Sequence, residues 1–140
     1  FLISANPREP PKPLVKIASG GEVSRVMLAL KSVLADADPI PTMVFDEIDT
    51  GIVGRTANAV AVKLQELAKK RQIICVTHLP QIASQANNHA VVEKHFAENR
   101  TKVIVKQLTQ DHERKEEISR MLSGSTSDVT LKHAEEILKK

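Results

Sequence analysis

Two neighbouring carboxylates, Asp46 and Glu47, follow the apolar run Met43-Val44-Phe45, and Asp49 stands shortly after them. A hard cation such as Mg2+ keeps several waters and binds through few carboxylates, so one acid at a strand end, Asp46, suits holding a metal-bound water. An adjacent carboxylate, Glu47, suits orienting or deprotonating a water that attacks a terminal phosphate. Taken alone, an apolar-Asp-Glu stretch serves equally well as a plain strand terminus. Two other groups bear on it. Upstream stands Ser19-Gly20-Gly21-Glu22, where glycines let a backbone approach an anion and the first helical N–H groups face it. By itself such a tetrapeptide is more often an ordinary capped helix start. Downstream, His78 closes the run Val76-Thr77. A lone His is usually structural or solvent-facing, but one beside two carboxylates can hydrogen-bond a phosphate oxygen.

A phosphate-cradling loop needs Gly, four residues, then Gly-Lys-Ser or Gly-Lys-Thr. The five glycines form no such pair, and none is followed by Lys. The chain therefore carries acids and anion-binding amides without a loop to grip a nucleotide. It reads as half a site.

These groups need elements to hold them. The run around Thr42–Phe45, entered after Pro39 and Pro41, reads as a strand buried on both faces, with its acids at the end where open α/β sheets bind ligands. Ser19 is a candidate N-cap and Glu22 completes a capping box. The helix it opens carries Val23, Val26, Met27, Leu30, Val33 and Leu34 at spacings of three and four, and should end within residues 35–38. A loop with Gly51 and Gly54 leads to a second helix whose apolar face is Ala57, Val60, Leu64, Leu67 and Ala68. Residues 72–77 read as another buried strand. Strand, helix, strand at this spacing predicts a parallel pair. A short helix follows over 79–86, with Pro80 near its first turn. Alternation over 90–96 and 101–108 then predicts an antiparallel hairpin at the sheet edge. Two helices, roughly 112–122 and 127–139, close the chain, joined by Ser123-Gly124-Ser125 and with Ser127 as the second cap. At the other end, residues 1–4 suit a short strand, and Pro7, Pro10, Pro11 and Pro13 make an extended connector. No repeat or second-domain boundary is visible, so residues 1–140 read as one α/β domain.

Composition narrows the class. Three Phe with no Trp or Tyr argue against a base-stacking platform for single-stranded nucleic acid. A net charge of +3 permits nucleic-acid contact without indicating it. Lys94, Arg100, Lys102 and Lys106 cluster on the hairpin, within reach of DNA phosphates in principle, though a charged edge that resists aggregation is the plainer reading. The single Cys75, inside an apolar run, reads as a core residue, and His89 and His95 as a surface pair with no metal role. With no disulfide, no span-length apolar run and no signal peptide, an intracellular setting without membrane contact is expected. The chain opens on Phe1 instead of Met, so we expect a piece of a longer protein.

The order of motifs carries a resemblance. Lys16-Ile17-Ala18-Ser19-Gly20-Gly21-Glu22-Val23-Ser24-Arg25, then Phe45-Asp46-Glu47-Ile48-Asp49-Thr50-Gly51-Ile52, then Thr77-His78-Leu79-Pro80-Gln81-Ile82-Ala83 resembles the signature motif, Walker B, D-loop and H-loop of ABC-type ATPase heads. The wording is similar to the SMC-like RecN family of bacterial DNA repair proteins, along nearly the whole chain. The resemblance implies the C-terminal half of an ABC-type P-loop ATPase head: a parallel βαβ core, an antiparallel edge hairpin and C-terminal helices. ATP and Mg2+ would be the ligands. Asp46 would hold Mg2+ through water, Glu47 would activate the attacking water and His78 would contact the γ-phosphate. Ser19, Gly20, Gly21 and Glu22 would bind ATP held by an opposite head, and Asp49, Thr50 and Gly51 would cross that interface. The partners implied are the chain's own N-terminal head half, a second head in a homodimer, and DNA; the setting is the bacterial cytoplasm at the nucleoid. Activity would be ATP hydrolysis in the parent protein, serving double-strand break repair, with none in the isolated 140 residues. The chain departs from the common pattern at Ala18, Glu22 and Ile52-Val53. A non-catalytic dimerisation module of the same fold, or the nucleotide-binding half of another SMC- or ABC-type ATPase, are the competing readings.

Overall fold

The computed structural model describes residues 2–4, 8, 10–14, 19–35, 37–97 and 100–139. Phe1, Pro7, Lys16 to Ala18 of the quoted motif and residues 98–99 of the hairpin connection lie outside them. The backbone divides into two compact units, Phe1–Thr77 and His78–Lys140.

In the first unit, β1 (Leu2–Ile3) pairs antiparallel with β2 (Lys12–Pro13). Helix α1 (Gly20–Val33) starts on the predicted capping box: Ser19 Oγ accepts the Glu22 N–H at 3.3 Å, and Glu22 Oε2 accepts the Ser19 N–H at 2.8 Å. Strand β3 (Thr42–Phe45) and strand β4 (Gln72–Cys75) run parallel, Thr42 opposite Gln72 and Phe45 opposite Cys75. Helix α2 (Gly54–Ala68) connects them and buries Ala57, Val60, Ala61, Leu64 and Leu67; Ala61 turns inward where Ala68 was expected. Arg71 ties the chain before β3 to the start of β4 by donating to the carbonyls of Ala35 and Ile40.

Two expectations need correction. Strand β3 buries Met43 and Phe45 but leaves Val44 65% exposed, and Ile74 on β4 is 47% exposed, so the pair is covered on one face only. One crossover helix covers one side of a parallel pair, and a second covered face takes another layer. Helix α1 also turns a different side inward. Gly21 and Leu28, seven residues apart, are buried, whereas Val23, Met27, Val33 and Leu34 of the predicted stripe are exposed.

In the second unit, α3 (Pro80–Ala83) opens on Pro80, whose missing N–H costs nothing at a helix start. Strands β5 (His89–Ala97) and β6 (Arg100–Leu108) form the predicted hairpin, with Val92 opposite Val105. The hairpin is a two-stranded sheet. Helices α4 (Asp111–Ser123) and α5 (Asp128–Leu138) pack together, joined through Gly124 at φ +77°. Ser127 caps α5, its Oγ accepting the Thr130 N–H. Ala83, Ile118 and Ala134 make the unit's core, flanked by Met121, Leu122 and Leu138. Among the described residues, no helix is long and apolar enough to cross a membrane.

The α4–α5 contact includes a charged link. Glu135 accepts from Lys115 Nζ at 2.7 Å and from Lys139 Nζ at 2.6 Å. These two bonds hold its carboxyl down at about 2, below the ordinary 4.5. A carboxyl depressed on folding stabilises the fold above its unfolded value and loses that contribution as pH falls through the folded value. Wild type should therefore out-melt Glu135→Gln modestly near neutral pH, with the gap closing between pH 4.5 and about 2. Thermal melts across that window check this; a gap that stays constant contradicts it.

Candidate functional site

Strand β3 stops at Phe45, and the chain turns sharply over the acids. Asp46 is exposed, with its Oδ1 accepting the Glu47 N–H at 2.8 Å. Glu47 has φ +57°, the one positive value among the described non-glycine residues. The Thr50 N–H closes a turn onto the Glu47 carbonyl at 3.0 Å, and the Ile52 N–H reaches the Asp49 carbonyl at 3.3 Å. Ile48 and Asp49 are buried while Glu47 and Thr50 are exposed. A left-handed Glu costs roughly 1–2 kcal/mol and persists only where surrounding contacts hold it.

Those contacts come from α1 and from the end of β4. Ser24 Oγ donates to the Asp46 carbonyl at 2.8 Å. Arg25 Nη1 donates to the carbonyls of Ile48 and Thr50 at 3.1 and 2.8 Å. Thr77 Oγ1 donates to Asp49 Oδ2 at 2.6 Å. The glycines of the helix start fit this seat closely. A Cβ on Gly21 would stand 2.7 Å from the Glu47 carbonyl oxygen and 3.0 Å from Thr50 Cβ. A Cβ on Gly20 would overlap Glu47 Oε2. The glutamate carboxylate thus lies at the positive end of a helix, where negative charge is favoured.

Of the predicted site residues, the structure brings Ser19 to Glu22 together with Asp46 to Thr50 in one place. Gly51, at φ +75°, continues the same loop. His78 is the first residue of the second unit and is exposed. Ser24, Arg25 and the Thr77 hydroxyl are site residues that the sequence did not single out. A Ser or Arg in the first turns of a helix has no pattern that tells a loop clamp from a solvated side chain. Cys75 behaves as expected of an inert thiol: burial, then Asp49 and Asp46, push it up to about 11. His89 is lowered by burial first and by Arg114 second, and His95 pairs with Glu93 at 3.1 Å. Among the described residues no group of three or more His, Cys, Asp or Glu can hold a metal ion. An exposed strand-end carboxylate such as Asp46 still fits Mg2+, which takes few protein oxygens and otherwise keeps water and phosphate.

Two substitutions should move stability in opposite directions. Gly21→Ala should cost about 1–3 kcal/mol, since backbone must shift to admit the methyl. Glu47→Gly should leave stability unchanged or raise it by up to about 1 kcal/mol, because relieved strain outweighs the lost helix-end attraction. Denaturant unfolding of each variant reads both. A neutral Gly21→Ala contradicts the close seat, and a clearly destabilised Glu47→Gly contradicts the left-handed turn.

No family model matches the chain. It is 50% identical over 140 residues to the DNA repair protein RecN of Treponema pallidum, covering 99% of this chain and 24% of that protein. Against the RecN of Deinococcus radiodurans the identity is 56% over 135 residues, covering 96% of this chain and 23% of that one. A solved structure described for ATP-driven dimerisation and DNA-stimulated activation of SMC ATPases matches at a TM-score of 0.48 and 20% identity, over 84% of this chain and 78% of that one. The chain spans about a quarter of the length of the curated relatives it matches. Over that span, its sequence is similar to the bacterial RecN proteins.

Proposed function

We propose that residues 1–140 are one lobe, the C-terminal half, of an ATP-hydrolysing head in a RecN-type DNA repair protein. The observation that carries this is the acidic turn seated on a capped, glycine-bearing helix start, with Glu47 held in a left-handed conformation. Such a turn stores strain, and strain is kept where a side chain must be aimed. Glu47 is the general base, orienting and deprotonating the water that attacks the γ-phosphate. Asp46 is the residue that would hold Mg2+ through water; when bound, the cation neutralises charge on the phosphates. His78 contacts the γ-phosphate. Ser19, Gly20, Gly21 and Glu22 meet the ATP of a second head, and Asp49, Thr50 and Gly51 cross between the two heads.

The partners follow from what this chain lacks and what it exposes. Without a Gly-Lys-Ser/Thr phosphate loop, the nucleotide must be gripped by other sequence, and we assign that to the parent's own N-terminal head half. The outer face of the parallel pair (Val44, Ile74, Val76) and the stripe on α1 (Val23, Met27, Val33) are exposed apolar surfaces suited to cover by that half. Engagement of two heads around ATP drives DNA binding or tethering in double-strand break repair, in the cytoplasm at the nucleoid.

The test is Glu47→Gln in the full-length parent. ATP binding and ATP-dependent dimerisation should persist while steady-state turnover falls by about 10²- to 10⁴-fold, the usual worth of a general base. The isolated chain, run alongside, should hydrolyse no ATP. Wild-type turnover in the variant, or robust turnover by the isolated chain, contradicts the assignment.

A further inference from the structure

We propose that Arg25 is a positioning residue for the Glu47 carboxylate, acting through the backbone of the loop after β3; this rests on the hydrolytic reading of Glu47. Arg25 Nη1 binds the carbonyls of Ile48 and Thr50 together, at 3.1 and 2.8 Å. Those carbonyls bracket the turn that starts at Glu47, because the Thr50 N–H returns to the Glu47 carbonyl at 3.0 Å. A guanidinium is planar and permanently charged, so it fixes the spacing of two acceptors in a way a flexible ammonium does not. Two charge-assisted bonds from one guanidinium offset the left-handed strain at Glu47. Gly21 completes the seat: the space a Cβ would need there is taken by Arg25 Nη1, 3.0 Å away, and by the Glu47 carbonyl oxygen. Arg25 thus reads the position of the loop from helix α1 and passes it to the glutamate one residue before Ile48.

The consequence is kinetic. Loosening the loop misaims the base without removing a group that binds nucleotide. In the full-length parent, Arg25→Ala should lower kcat for ATP about 10- to 100-fold, the range expected of a misplacement near 1 Å. KM should stay within about twofold, as for a group felt only in the transition state. Added guanidinium ion should restore part of kcat to Arg25→Ala and none to Glu47→Gln. Arg25→Lys should fall between wild type and Arg25→Ala at unchanged KM, and it carries the test if Arg25→Ala fails to fold. An unchanged kcat in either Arg25 variant overturns the proposal, as does a kcat that falls only together with KM and melting temperature. Glu47→Gln separates the two levels. If it turns over normally, the hydrolytic reading fails and takes this inference with it. If it is inactive while the Arg25 variants match wild type, this inference alone fails.

Discussion

The close seat of the acidic turn on the first turn of α1 is the constraint on which the rest of the first unit depends. Gly21 has no room for a side chain because the Glu47 carbonyl and Thr50 occupy it. That approach fixes the Glu47 carbonyl, the carbonyl closes the turn with Thr50, and the turn places Glu47 at positive φ. The carboxylate then has one natural place, over Gly20 at the positive end of the helix. Backbone amides and a carboxylate, the two kinds of group that phosphate chemistry uses, are joined by a contact that needs no phosphate to form.

Magnitudes explain why such a turn survives. The left-handed glutamate costs roughly 1–2 kcal/mol. A neutral hydrogen bond contributes about 0.5–1.5 kcal/mol net, and one to a charged group about 1.5–3. The Ser24 bond to the Asp46 carbonyl, the Arg25 bonds to Ile48 and Thr50, and the Thr77 bond to buried Asp49 together exceed the strain. The acids owe their geometry to residues that carry no chemistry themselves.

Local rules made much of the fold legible. The Ser19–Glu22 capping box, most of the apolar face of α2, the parallel pairing of β3 with β4, the antiparallel hairpin and the Ser127 cap all follow from spacing and side-chain chemistry along the chain. The inward side of α1 was not legible. Four of the six residues of its apolar stripe are exposed, while the buried side runs through a glycine and a single leucine, Gly21 and Leu28. Periodicity counts apolar residues and cannot say which of two faces meets a neighbour within the same segment. Burial of β3 on both faces failed for a related reason: among the described residues, Val44 belongs to a face that stays exposed. The acids and glycines announced themselves as chemistry, but the close fit of Gly20 and Gly21 against Glu47 and Thr50 joins residues more than twenty positions apart and has no local signal. Arg25 had no signal in one dimension, since its acceptors are carbonyls more than twenty positions away.

The central claim is the contact between the helix start and the acidic turn, and solution NMR of the chain measures it most directly. Nuclear Overhauser contacts from the Gly21 Hα protons to the Thr50 side chain, with the intraresidue pattern of a left-handed Glu47, are the predicted result. Strong sequential contacts along α1 with no cross-peak from Gly21 to Thr50 would contradict the account.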